Sequence, residues 1–142
     1  MGEATRDDMH DGLRISVMRL ARRMRLERVV GDVSDGQLSA LSVIFKHGPQ
    51  TLGSLSEHER VTPPSMNRTV NALVERGFVE RSGSPDDGRK VLIDLTDAGR
   101  SVVTQTRDHR AAWFSHQLDV LTPEELSTLD AASSILRKLA DS

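Results

Sequence analysis

A chain of 142 residues supports one compact domain, or a domain with dimerisation arms, and only 3% of it is aromatic, so aliphatic side chains must build the core. Without cysteine it can form no disulfide and run no thiol-based redox switch. The net charge is −2, no stretch is apolar enough to cross a bilayer and no signal-peptide core opens the chain, which leads us to expect a cytoplasmic protein with no membrane partner.

The first predicted element is an amphipathic helix from about Asp8 to Val29, where Leu13, Val17, Leu20 and Met24 recur at three- and four-residue spacing. Charge is unevenly spread around it. Arg14, Arg19, Arg22, Arg23, Arg25 and Arg28 crowd this helix, opposed from Arg14 onward only by Glu27. Glu3, Asp7, Asp8 and Asp11 lie before it or in its first turn, and Asp119, Glu124, Glu125 and Asp130 lie near the other end of the chain. Local fields rather than net charge steer an anionic partner. These arginines either flank a nucleic-acid surface or face a partner subunit and water, and the sequence favours neither.

Ser34 and Gln37 form a capping-box pattern that opens a helix carrying Leu38, Leu41, Ile44 and Phe45, and Gly48-Pro49 closes it. Thr51 starts a short helix containing Leu52 and Leu55. After a tight turn, Thr62 caps the next helix, with Pro63 and Pro64 where a missing N–H costs little and Gly77 at its end. At 100° per residue, Met66, Val70, Leu73 and Gly77 fall on one narrow face that must pack inward. Pro64, Arg68, Asn71 and Glu75 fall opposite, flanked by Asn67, Ser65 and Ala72. Arg68 suits paired hydrogen bonds to a guanine edge in the major groove, and Asn71 to an adenine edge. No acidic residue occupies the first turn, so its N–H groups are expected to remain free for a phosphate. On an isolated helix such a face would be ordinary solvated surface. The strands and loop beyond this helix decide otherwise.

Phe78-Val79-Glu80-Arg81 and Val91-Leu92-Ile93-Asp94-Leu95 read as two strands joined by a polar loop, residues 82–90. The loop tip, Pro85-Asp86-Asp87-Gly88-Arg89-Lys90, should carry Arg89 and Lys90 outward, where a narrow minor groove attracts arginine. Asp87 can hold the Arg89 guanidinium by charge-assisted hydrogen bonds. Helix, tight turn, helix, strand, charged loop, strand is the order of a winged helix-turn-helix. Asn67, Arg68 and Asn71 are then the candidates for base edges. Thr62, Ser65, Arg89 and Lys90 are the candidates for phosphate or minor-groove contacts, with Asp87 in support.

Thr96 caps a long helix through roughly Val120, with Val102, Val103 and Trp113 among its apolar positions. Thr122-Pro123-Glu124-Glu125 joins a capping box to a first-turn proline and opens the last helix, where Leu126, Leu129, Leu136 and Leu139 form a stripe. The first helix and the last two are longer than a compact winged domain needs. Their stripes pack most simply across a two-fold axis, with Leu13, Val17, Leu126, Leu129, Leu136 and Leu139 as dimerisation candidates. The expected architecture is mainly α with a small β-hairpin wing, in one continuous structural domain. Residues 1–33 form an N-terminal dimerisation arm, 34–95 the winged DNA-binding region and 96–142 a C-terminal helical arm.

Catalysis finds little support. His10, His47, His58, His109 and His116 are scattered, and none forms a His-Glu-x-x-His motif. His109 and His116 sit two turns apart on one helix face, where exposed or interfacial histidines outweigh a metal pair. Ser54, Ser56 and Ser65 lack a nucleophile elbow, and no glycine loop resembles a phosphate cradle. No catalytic residue, metal ligand or cofactor is assigned.

Three segments together carry a specific resemblance: residues 73–81, Leu-Val-Glu-Arg-Gly-Phe-Val-Glu-Arg; residues 86–90, Asp-Asp-Gly-Arg-Lys; and residues 95–100, Leu-Thr-Asp-Ala-Gly-Arg. The chain resembles the multiple-antibiotic-resistance regulator (MarR) family of bacterial transcription factors. The resemblance implies a homodimeric repressor that binds a pseudopalindromic double-stranded DNA operator and responds to a small ligand. A small aromatic or apolar acid is the effector that the resemblance alone implies, and the lack of cysteine excludes the oxidation sensing used by part of the family. Two residues depart from the family pattern. Arg60 stands where the turn often has glycine, which implies a strained or shifted turn. Gly88 takes a wing position that is often arginine or another long polar residue, which implies one DNA contact fewer and a looser tip. The competing reading is a winged-helix protein-interaction module without specific DNA binding, its basic helix serving an acidic partner.

Overall fold

The computed structural model describes residues 3–86 and 88–142. In chain order it contains α1 (Glu3–Leu26), α2 (Asp35–His47), α3 (Leu52–Glu59), α4 (Pro63–Glu75), β1 (Val79–Gly83), β2 (Val91–Leu95), α5 (Asp97–Leu118) and α6 (Pro123–Ala140). The architecture is the mainly helical one with an antiparallel hairpin that the sequence implies. Local capping chemistry sets most of the starts. Ser34 with Gln37, and Thr122 with Glu125, complete reciprocal capping boxes, while Thr51, Thr62 and Thr96 each accept an N–H three residues on.

α2, α3, α4 and the hairpin enclose the core, and α5 lies across α2. Leu41, Ile44, Leu55, Val70, Leu73, Val79 and Ile93 are sealed from solvent, and Val102 and Val103 close the α5 side. Each fully buried aliphatic side chain contributes about 1.5–3 kcal/mol. The hairpin pairs Val79 with Leu95, Arg81 with Ile93 and Gly83 with Val91. On its other edge β2 meets a single residue before α3, where Gln50 and Ile93 exchange both main-chain hydrogen bonds, at 3.0 and 2.7 Å. This bridge has no signature in the sequence, because one isolated residue carries no periodicity.

Several boundaries depart from the expectations. α1 begins at Glu3 rather than near Asp8 and ends at Leu26 rather than Val29. The Glu27 N–H donates to the Met24 carbonyl at 3.2 Å and tightens the last turn. β1 runs on through Ser82 and Gly83, which pair with Leu92 and Val91, so the wing loop is shorter than residues 82–90. α5 stops at Leu118, two residues before Val120. Gly77 does not share the inward face of α4. It lies just past the helix, exposed, at φ 74°, where a residue without Cβ turns the chain toward β1.

The Leu95–Arg100 segment also acquires a physical reason. Leu95 is buried, Thr96 caps α5, and the Thr96 N–H donates to the Phe78 carbonyl at 3.1 Å. Gly99 lies so close to the same peptide that an added Cβ would sit 2.0 Å from the Phe78 oxygen. Only glycine lets the start of α5 lock onto the turn between α4 and β1.

Candidate nucleic-acid interface

The turn between α3 and α4 is made by Arg60 at φ 54° and ψ 42°. It is the only non-glycine residue with positive φ among those described, so the strain expected from the missing glycine is present. Past this residue, Val61 donates to the Ser56 carbonyl at 3.1 Å and closes the turn.

The start of α4 overturns one expectation. Its first-turn N–H groups are not free for a phosphate. Pro63 and Pro64 have none, the Ser65 N–H is held by the Thr62 hydroxyl at 3.3 Å, and the Met66 N–H by the Thr62 carbonyl at 3.0 Å. Thr62 is exposed and Ser65 half-buried, so any phosphate contact here must come from their hydroxyls.

The two faces of α4 separate as its spacing requires. Met66, Val70 and Leu73 are buried, whereas Pro64, Asn67, Arg68, Asn71 and Glu75 are exposed. Hence Asn67, Arg68 and Asn71 come together on one open face, the first and last of them one turn apart. A residue missed in the sequence joins them. Arg81 of β1 donates through Nη2 to the Asn71 side-chain oxygen at 2.7 Å and makes a longer contact with that of Asn67 at 3.5 Å. A signal for this was present: Arg81 alternates with Val79 and so shares the hairpin face that turns toward α4. In the wing, Arg89 and Lys90 are both exposed, and the Ser84 N–H closes the loop base on the Lys90 carbonyl at 2.9 Å. Asp87, expected to support Arg89, lies outside the described residues.

The arginine cluster at the N-terminal end divides by role. Arg28 binds the Val33 carbonyl and the Asp35 carboxylate, at 2.8 Å for the latter, and so fixes the link from α1 to α2. Arg23 lies over the Trp113 ring, 5.6 Å from its centroid. From α5, Arg110 donates to the main-chain carbonyls of Glu27 and Arg25 at 2.8 and 3.1 Å, beside a 2.9 Å contact between His109 and the Glu27 carboxylate. Burial, followed by the charge of Arg28, lowers the proton affinity of the Arg110 guanidinium. His109 and His116 therefore do not form a pair, since His116 lies 3.6 Å from Asp119 instead.

The arms remain open. Leu13, Val17, Leu126, Leu129, Leu136 and Leu139 are all exposed, and α6 buries none of its residues within the chain. A groove of about 580 Å³ between α1, α5 and α6 is lined by Leu20, Phe114, Leu118 and the α6 leucines 126, 129 and 136. No helix among the described residues is long and apolar enough to cross a membrane.

Comparison with known proteins converges on one family. Residues 33–91 match the model of the MarR family. An HTH-type transcriptional regulator of Mycobacterium tuberculosis is 38% identical over 129 residues, which cover 91% of this chain and 90% of that protein. Among solved structures, a MarR family protein from Bacillus stearothermophilus aligns with a TM-score of 0.82 at 20% identity, covering 100% of this chain and 99% of that one. Streptococcus pneumoniae FabT, crystallised in complex with DNA, aligns with a TM-score of 0.70 at 21% identity over 98% of each chain.

Proposed function

The chain belongs to the MarR family of helix-turn-helix regulators, and we propose from that membership that it is a homodimeric, sequence-specific DNA-binding repressor. The observation that carries this reading is the outward face of α4, where Asn67, Arg68 and Asn71 stand exposed beside a basic wing tip. Asn67, Arg68 and Asn71 read base edges in the major groove. Thr62 and Ser65 touch phosphate through their hydroxyls, and Arg89 and Lys90 reach the backbone or the adjacent minor groove. Asp87 keeps its proposed supporting role. Residues 34–95 form the reading unit, and the flanking segments 1–33 and 96–142 form the arms.

Dimerisation has its own support. α6, an 18-residue helix, has no fully buried residue in its own chain, and Leu126, Leu129, Leu136 and Leu139 keep 39–61% of their surface exposed, so its apolar stripe is only partly covered there. Three of the leucines that line the α1–α5–α6 groove, Leu126, Leu129 and Leu136, are dimerisation candidates, so a second copy of the chain is its natural occupant. Two-fold symmetry then sets the reading helices for half-sites about one DNA turn, roughly 34 Å, apart. A dimer spanning a turn of promoter DNA in the cytoplasm blocks other proteins from it, which makes repression the expected outcome. A small aromatic or apolar acid that binds one arm geometry better than another would lower operator affinity without separating the subunits.

Selection of bound duplexes from a genomic fragment pool, followed by titration at several salt concentrations, tests the reading. The expected result is one preferred pseudopalindromic sequence, with affinity falling steeply as salt rises. Binding without sequence preference, or none, would return the chain to the protein-interaction alternative. A ligand screen that leaves operator affinity unchanged would remove the effector alone.

A further inference from the structure

We propose that Arg81 is a positioning residue that sets the base preference of α4, because it holds the Asn71 side-chain oxygen and so leaves that asparagine to face the groove as a hydrogen-bond donor. The inference rests on the reading of α4 as the groove-entering helix. Arg81 itself is exposed, and it stands on β1 opposite Ile93. Both main-chain groups of Ile93 go to Gln50, so Arg81 and Ile93 form the non-hydrogen-bonded type of pair, whose side chains are the closer. The inner hairpin face is apolar at Val79, Leu95 and Ile93, and runs out of core at Arg81. From there the guanidinium crosses to α4 and meets Asn71 at 2.7 Å, with Asn67 more loosely engaged at 3.5 Å.

The orientation of the amide is dictated by chemistry. A guanidinium has donors and no acceptor, so the group facing it must be the carboxamide oxygen and not its nitrogen. The charge assists this hydrogen bond and makes it stronger than a neutral one. Asparagine reads adenine by accepting from N6 and donating to N7 at once. With its oxygen bound to Arg81, Asn71 keeps the donor half of that pair. The oxygen has a second lone pair, but the adjacent positive charge repels the amino hydrogens that would approach it. Guanine, with acceptors at N7 and O6, suffers no such repulsion. Arg81 thus turns Asn71 from the adenine reader its residue type implies into one that favours guanine. Asn67 obeys the same logic with a weaker hold.

A double-mutant cycle on the full-length protein tests this, with duplexes selected by the unaltered protein and their single-base-pair variants as probes. Arg81→Ala should shift the guanine-to-adenine affinity ratio at the position read by Asn71 about tenfold toward adenine, with the thermal midpoint little changed. In an Asn71→Ala background the same substitution should leave that ratio where it is, since the effect passes through Asn71. Arg81→Met keeps the aliphatic stem and should reproduce the Arg81→Ala shift, which separates positioning from packing. Uniform weakening on every duplex, or equal shifts with and without Asn71, would overturn the inference by making Arg81 a direct DNA contact. So would an unchanged ratio in Asn71→Ala while Arg68→Ala still alters preference, and in that case the proposed function stands. Loss of preference in neither Asn71→Ala nor Arg68→Ala would remove the reading of α4 itself.

Discussion

Arg60 and Arg89 test opposite sides of the account, one the backbone and the other the field. Arg60 occupies the left-handed region, where a Cβ is strained but glycine is not. Arg60→Gly should therefore raise stability by up to about 1 kcal/mol after the entropy cost of the freer unfolded chain, read as a higher denaturant midpoint. Arg89→Ala should leave that midpoint unchanged, because the side chain is exposed in the wing. It should weaken operator binding and make the salt slope shallower by about one unit if a phosphate contact is lost. Unchanged affinity and slope in a folded variant would sink the wing assignment. The Arg76 guanidinium, 2.9 Å away, holds the Asp32 carboxyl below its ordinary range. A depressed carboxylate contributes stability above its unfolded value and loses it as pH falls through the folded one. At this exposed site Asp32→Asn should slightly lower stability at neutral pH and leave it unchanged in acid, which slightly flattens the acid side of the stability profile.

Elements were legible where their signals are local. Capping residues act over three positions, so Ser34, Thr51, Thr62, Thr96 and Thr122 mark helix starts without any knowledge of the fold. The inward face of α4 came from spacing alone, and Asn67, Arg68 and Asn71 were found by the same arithmetic. The contacts that escaped were non-local. Ser82 and Gly83 are strand because β2 lies beside them, Gln50 bridges Ile93 across 43 positions of sequence, and Arg81 acts only once the hairpin folds onto α4. The free N–H groups expected at the start of α4 were a misreading of local chemistry, since two prolines and a capping threonine leave none in that turn. Gly99→Ala checks the most confined contact between elements. A Cβ 2.0 Å from the Phe78 oxygen must push α5 off the α4–β1 turn, and the expected loss is about 1–3 kcal/mol or more by thermal or denaturant unfolding. A variant of parental stability would mean that the approach is looser than it stands.

At the scale of the molecule, α5 anchors the C-terminal arm on the reading unit, with Val102 and Val103 closing the core against α2. Arg110 and His109 of α5 grip the chain just beyond α1, and Arg28 ties the same link to the first turn of α2. Removing residues 122–142 should abolish the stable dimer in sedimentation and collapse operator affinity, because two linked half-site contacts become independent events. A truncated monomer that binds the full operator as tightly as the parent would contradict the arm assignment. The most direct test of the central claim compares the parent and Arg68→Ala on the selected operator and on each of its single-base-pair variants. Two symmetry-related positions about one DNA turn apart should lose discrimination together, at about 1–3 kcal/mol per contact, while preference elsewhere survives. Equal weakening on every sequence, or no change on any, would show that the outward face of α4 does not read bases.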